Sequence, residues 1–164
     1  MIEEKLAAGL ACHGCGALIC VAKPMDRPIK FRLNTFPVHL GLGAKVVLQD
    51  EFTGSPRWYQ RYAEGSASDG AEGRLVTMHK FTKSWGTWEM HPHGEELVLC
   101  IQGTMTVIQE INGKQEKSRL HAGEAIINPA GIWHTADLDD EEGEEATAVF
   151  ITAGMGTEIR PREA

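Results

Sequence analysis

No apolar run in this chain approaches the ~20 residues that a helix needs to cross a bilayer, so a membrane-spanning helix is not expected. Positive charge is scarce as well. Lys and Arg number 16 against 23 Asp and Glu, a formal net charge of −7. An acidic chain without a basic patch does not attract nucleic acid or an anionic membrane surface, and neither partner is expected. A basic start is also missing from the N-terminal segment MIEEKLAAGLACHGCGALICVA, where Glu3 and Glu4 outweigh Lys5. That segment therefore does not read as a secretory signal, and a cytoplasmic location is expected. Cysteine is confined to Cys12, Cys15, Cys20 and Cys100, too few and too unevenly spread for a disulfide framework. What remains is ordinary for a folded domain. The 164 residues are 42% hydrophobic and 24% charged, enough for one core and too balanced for disorder.

The character of the sequence changes along its length. Residues 1–24 are rich in Ala, Gly and Cys and read as an N-terminal extension. Cys12-His13-Gly14-Cys15 has no second cysteine or histidine pair nearby to complete four zinc ligands, so it is assigned no role. A single domain is expected over 25–160. VVLQ (46–49) reads as a short strand, the aromatic pair Trp58-Tyr59 as part of another, and EGSASDGAEG (64–73) as a polar loop. From residue 74 the pattern is strand and turn: LVTMHKF (75–81), TWEMHPH (87–93), ELVLCIQ (96–102) and TMTVIQEI (104–111). Asn112-Gly113 then marks a tight hairpin with KQEKSRL as the returning strand. EAIIN, WHTADL and ATAVFIT follow, the last two separated by the acidic run DDEEGEE (139–145), read as a solvated loop. Many short strands with Gly, Pro and Asn turns predict an all-β sandwich or barrel.

One stretch, EMHPHGEELVLCIQG (89–103), concentrates side chains that bind metals. Residues i and i+2 share a face of a strand, so His91 and His93 are expected to point the same way. Glu96, Val98 and Cys100 share a face of the next strand. His134 follows the Pro129–Gly131 turn. Three imidazoles and one carboxylate on neighbouring strands suit a first-row divalent ion (Fe, Mn, Ni, Co, Cu or Zn) better than Ca²⁺ or Mg²⁺. The gap between His93 and Glu96 is short. It leaves two alternatives open: His93 swung out of the set, or Glu95 competing with Glu96.

These residues resemble the two motifs of the cupin superfamily. The first runs Gly, five residues, His-x-His, three or four residues, Glu, six residues, Gly. Here Gly86 precedes His91 by four intervening residues, Glu96 follows His93 after two, and Gly103 follows Glu96 after six. The second runs Gly, five residues, Pro-x-Gly, two residues, His, three residues, Asn. Gly123, Pro129, Gly131 and His134 match it, while Leu138 stands where the Asn is expected, beside Asp137. The motifs cover 86–138. The resemblance implies a double-stranded β-helix, a small jelly-roll barrel with the metal inside, and His91, His93, Glu96 and His134 as ligands.

The same resemblance implies a small metal-dependent enzyme of isomerase or dioxygenase type, acting on a small polar metabolite. A non-catalytic, metal-dependent binding module is the other reading, and fold alone does not separate them. Candidate acid/base groups are Glu95, Glu89 and His79. His79 is read first as a core or surface histidine, and His39 and His121 are assigned no role. Cys100 is read as a small buried hydrophobe. Trp85, Trp88 and Trp133 are expected at the barrel mouth or a subunit interface. A homodimer is expected, formed by strands ahead of the barrel.

Overall fold

The computed structural model describes residues 29–138 and 145–162. The chain divides into residues 1–30 and a compact unit from Phe31 to Ala164. The extension, its Cys12, Cys15 and Cys20, and most of the acidic run 139–145 lie outside the described residues.

Alternation of apolar and polar residues builds the strands. It is clearest in β3 (Arg74–Phe81), β5 (Glu96–Gln102) and β10 (Ala146–Ala153), where every second side chain turns to the interior. The other strands are β1 (Val38–Gly41), β2 (Lys45–Leu48), β4 (Thr87–Met90), β6 (Thr104–Ile111), β7 (Lys114–His121), β8 (Ala125–Asn128), β9 (His134–Asp137) and β11 (Glu158–Pro161). They form two sheets, β2-β1-β3-β10-β5-β8 and β11-β4-β9-β6-β7, with antiparallel pairing throughout. This is an all-β jelly roll. Its core is a cluster drawn from both sheets: Val98, Cys100, Ala148 and Phe150 from one, Met105, Val107, Leu120 and Ala136 from the other. A large apolar side chain buried this way contributes about 1.5–3 kcal/mol. Cys100 is fully buried, as a small hydrophobe.

Turns follow local chemistry. Asn112 and Gly113 both have positive φ, 52° and 74°, which the two-residue hairpin between β6 and β7 requires. Gly103, between β5 and β6, has φ 74°, and a Cβ there would lie 2.0 Å from the Glu145 carbonyl oxygen. That close approach explains why only glycine closes the first motif.

Two segments differ from expectation. Trp58 and Tyr59 are helical, in α1 (Pro56–Ser66), not on a strand. Ser55 caps α1, Pro56 opens it, and Trp58 and Tyr62, one turn apart, bury one face against Leu75. The supposed loop 64–73 is the end of α1 followed by a 3₁₀ segment, Ala67–Glu72, kinked at Gly70 (φ 55°). Gly65, Gly70 and Gly73 read as breakers in sequence. Anchoring of Trp58, Tyr62 and Asp69 by the barrel overrides that weak local preference.

Candidate metal centre

The site forms where β4, β5 and β9 meet. Glu89 pairs in register with His134 across β4 and β9, so the two side chains share a face. His91 lies just past β4, two residues after Glu89, and keeps the same direction. Its carbonyl accepts a hydrogen bond from the Gly131 amide at 3.0 Å, tying the end of β4 to the turn that precedes His134. Glu96 opens β5 facing inward.

His91, Glu96 and His134 are each at most 3% exposed. Glu96 Oε1 lies 3.4 Å from His91 Nε2, and Glu96 Oε2 lies 3.2 Å from His134 Nε2. Ligating atoms of Glu89, His91 and His134 all fall within 4.8 Å of one another. The Nε2 atoms of His91 and His134 are buried and have no hydrogen-bond partner. Their other nitrogens are held: His134 Nδ1 donates to the Ile132 carbonyl at 3.1 Å, and His91 Nδ1 bonds Thr157 Oγ1 at 3.0 Å. A carbonyl only accepts, so in neutral His134 the proton sits on Nδ1 and the Nε2 lone pair faces the cluster. This is how ligating imidazoles are oriented, and the donor set fits a divalent transition ion.

Glu96 is held in turn. It accepts from Thr152 Oγ1 at 2.6 Å and from Asn128 Nδ2 at 2.9 Å, and Asn128 Oδ1 accepts from Gln109 Nε2 at 2.7 Å. Burial would raise the Glu96 pKa, but the His134 and His91 imidazoles beside its two oxygens outweigh it and hold the carboxyl well below its usual range. Burial, and repulsion from Glu96, push the Glu89 carboxyl up. Two acids crowded in a buried space with two imidazoles form an arrangement that a dication neutralises.

The other expected site residues are placed elsewhere. His93 is exposed, and the structure does not bring it to the cluster. Its ring packs on Gly156, where a Cβ would lie 2.5 Å from His93 Cδ2. The strand expected over 87–93 ends at Met90, and Pro92 and His93 form a turn, so the alternation that would aim both imidazoles inward stops at His91. Glu95 is also exposed. Glu89 takes the inward place two residues before His91. The spacing carries part of a signal for this: with Glu89 in the first imidazole position, four residues separate His91 from Glu96 and six separate Glu96 from Gly103, as in the family pattern, while Gly86 then stands only two residues ahead instead of five.

Glu89, His91 and Glu96 of the cluster open onto a cavity of about 710 Å³ between the barrel mouth and α1. Tyr59, Leu75, Phe81, Trp85 and Phe150 line it, with Glu89, His91, Glu96 and His79 as its ionisable groups beside the tyrosines, and no Lys or Arg among the described lining residues. His79 is thus a cavity residue. Its ring centroid lies 5.0 Å from Phe52 and 5.9 Å from Phe150, and burial lowers its pKa, favouring neutral imidazole. Trp85 faces the cavity. Trp88 and Trp133 instead hold the Arg160 guanidinium, 5.2 and 4.5 Å from their ring centroids.

A two-sheet barrel with an inward cluster of imidazole and carboxylate defines the class of protein. The family model described as "Cupin domain" matches residues 75–152, and that stretch of the chain is a cupin domain. No curated protein matches it. Among solved structures, an oxalate oxidase is 21% identical with a TM-score of 0.44, covering 51% of this chain and 44% of its own. A cupin-2 domain protein from Shewanella frigidimarina is 20% identical with a TM-score of 0.38, covering 54% of this chain and 71% of its own. Hydroquinone 1,2-dioxygenase from Sphingomonas sp. TTNP3 is 14% identical with a TM-score of 0.40, covering 48% and 58%. The chain thus spans less than half the length of the oxalate oxidase.

Proposed function

We propose that this cupin domain holds one first-row divalent metal ion through His91, His134 and Glu96, with Glu89 as a fourth ligand or adjacent base. The observation that carries this reading is the pair of buried, unpartnered Nε2 atoms of His91 and His134, aimed at Glu96. Mixed nitrogen and oxygen donors select Fe, Mn, Ni, Co, Cu or Zn over Ca or Mg. When bound, such an ion supplies Lewis-acid polarisation of a ligand oxygen, or redox chemistry if it is iron, copper or manganese. The protein supplies a cavity with apolar walls, and Glu89 and His79 stand ready to hold or move a proton.

The ligand is a small oxygenated metabolite of isomerase or dioxygenase type chemistry. With no Lys or Arg among the described residues of the cavity wall, a neutral compound with an apolar or ring-shaped body fits better than a polyanion. The ionisable groups facing the cavity favour an enzyme over a passive binding module. A homodimer and a cytoplasmic location belong to the same proposal. Metal analysis tests it: the protein purified without chelator carries close to one ion per chain, and His91→Ala and His134→Ala each lose most of it. Wild-type metal content in both variants would falsify the site.

A further inference from the structure

Three residues without an assigned role form a buried chain beside the cavity. His39 Nε2 lies 3.0 Å from Asp69 Oδ2, and His39 Nδ1 lies 2.9 Å from Tyr62 Oη. All three are at most 7% exposed. They come from three elements: β1, α1 and the 3₁₀ segment. A carboxylate only accepts, so the proton of neutral His39 sits on Nε2 and the Nδ1 lone pair faces the Tyr62 hydroxyl.

Each of the three is seated against a glycine. A Cβ on Gly41 would lie 2.3 Å from Asp69 Oδ2, one on Gly73 2.6 Å from His39 Cε1, and one on Gly154 2.7 Å from Tyr62 Oη. None of these glycines has a positive φ, so space, not backbone conformation, calls for them. Gly154 also lines the metal-site cavity, as Tyr62 does. The hydroxyl end of Tyr62 thus abuts the bare backbone of Gly154 on the wall of that cavity. Tyr62, His39 and Asp69 also line a second cleft of about 280 Å³, where Lys45 Nζ stands 3.9 Å from Asp69 Oδ1.

We infer that Asp69, His39 and Tyr62 form a proton relay serving the metal-site cavity, with the Tyr62 hydroxyl meeting a hydroxyl group of the bound ligand. This rests on the reading of that cavity as the ligand site. In the step, the ligand O–H bond breaks and its proton passes to Tyr62 Oη, while the proton of Tyr62 passes to His39 Nδ1. The electron pair stays on the ligand oxygen. The imidazolium formed on His39 is offset by the Asp69 carboxylate, and the reverse sequence returns the proton. Burial pushes the Tyr62 hydroxyl up to about 12, so it stands neutral and ready to donate at neutral pH. Tyr62 is the group that touches the ligand. His39 and Asp69 act through it.

The alternative role for the trio is a pin holding α1 to β1. His39→Gln separates the two, because its amide donates to Asp69 and accepts from Tyr62 but does not take up a proton. The test uses the full, metal-loaded chain at neutral pH with 4-nitrocatechol, a hydroxylated chelator whose colour reports its ionisation. Metal content is measured first, and wild type, His39→Gln and Tyr62→Phe are expected to match. In weakly buffered solution, His39→Gln is expected to release, on binding the probe, a proton that wild type keeps. Tyr62→Phe is expected to bind the probe roughly tenfold more weakly, as for one lost hydrogen bond to a charged group. Equal affinity and equal proton release in all three proteins would show a structural pin and overturn the relay. So would failure of metal-loaded wild type to bind the probe. Wild type without metal would instead sink the metal reading, and is seen before any probe is added.

Discussion

At the residue scale, the turn at Pro92 decides which imidazoles meet inside the barrel. A strand carried through to residue 93 would place His91 and His93 on one face, but the turn beginning at Pro92 sends His93 outward. His93→Ala is therefore expected to keep its metal, while Glu96→Gln and Glu89→Gln bind it more weakly, with Glu96→Gln the more severe. Competition of the variants against a chromophoric chelator measures this, and a loss in His93→Ala as deep as in His91→Ala would return His93 to the set. The bonds behind Glu96 matter too. Asn128 and Gln109 form a buried chain that fixes the carboxylate, and residues in such positions typically contribute about 10–100-fold to metal affinity. Asn128→Ala is expected to fall in that range, checked by the same titration.

At the element scale, strand ends and turns are stabilised by specific local contacts. Asp137 at the end of β9 makes a two-pronged ion pair with Arg162, just past β11, through the Nη1–Oδ1 contact and a 3.1 Å contact between Nη2 and Oδ2. The Arg162 bond holds the Asp137 carboxyl below its usual range despite partial burial. A lowered folded pKa contributes stability above the unfolded value of about 3.9, and that stability is lost as pH falls through the folded value. Asp137→Asn is expected to be less stable than wild type by about 0.5–1 kcal/mol at neutral pH. The gap should close in acid below the carboxylate range, and urea unfolding at the two pH values reads both. At the β6–β7 hairpin, Gly113→Ala places a side chain at φ 74° and is expected to cost about 1–2 kcal/mol, seen as a lower urea midpoint.

At the scale of the whole molecule, the β2 edge stands exposed among the described residues. β2 ends the larger sheet, and its Val46, Val47 and Leu48 are exposed, with Leu40 and Leu42 beside them. Exposed apolar edges invite strand pairing, and a two-fold axis along this edge would cover it. Sedimentation velocity at micromolar concentration is expected to show a dimer, and Val47→Lys to shift it toward monomer. A clean wild-type monomer would remove the proposal. A chain beginning at Met25 is expected to fold and bind metal, since the compact unit starts at Phe31. A far lower melting temperature for that chain would place the extension in the fold.

The sequence by itself determined the strand order from residue 74, the hairpin at Asn112-Gly113 and the barrel class, because alternation and turn chemistry are local. It also marked His91, Glu96 and His134, the residues the structure draws together, through motif spacing. It missed β1, which is short, preceded by Pro37 and ended by Gly41, and β11, whose pairing with β4 is not local. It missed α1 and the 3₁₀ segment after it, because Gly65, Gly70 and Gly73 outweigh two buried aromatics until the barrel is present to receive them. Only the tertiary structure decided that Glu89 faces His134 and that His93 faces solvent, since one turn resets the direction of every side chain after it. His39, Tyr62 and Asp69 lie 23 and 30 residues from their partners along the chain, and no periodicity links them. Their meeting depends on β1, α1 and the 3₁₀ segment packing against three glycines, a fit that exists only once the barrel has formed.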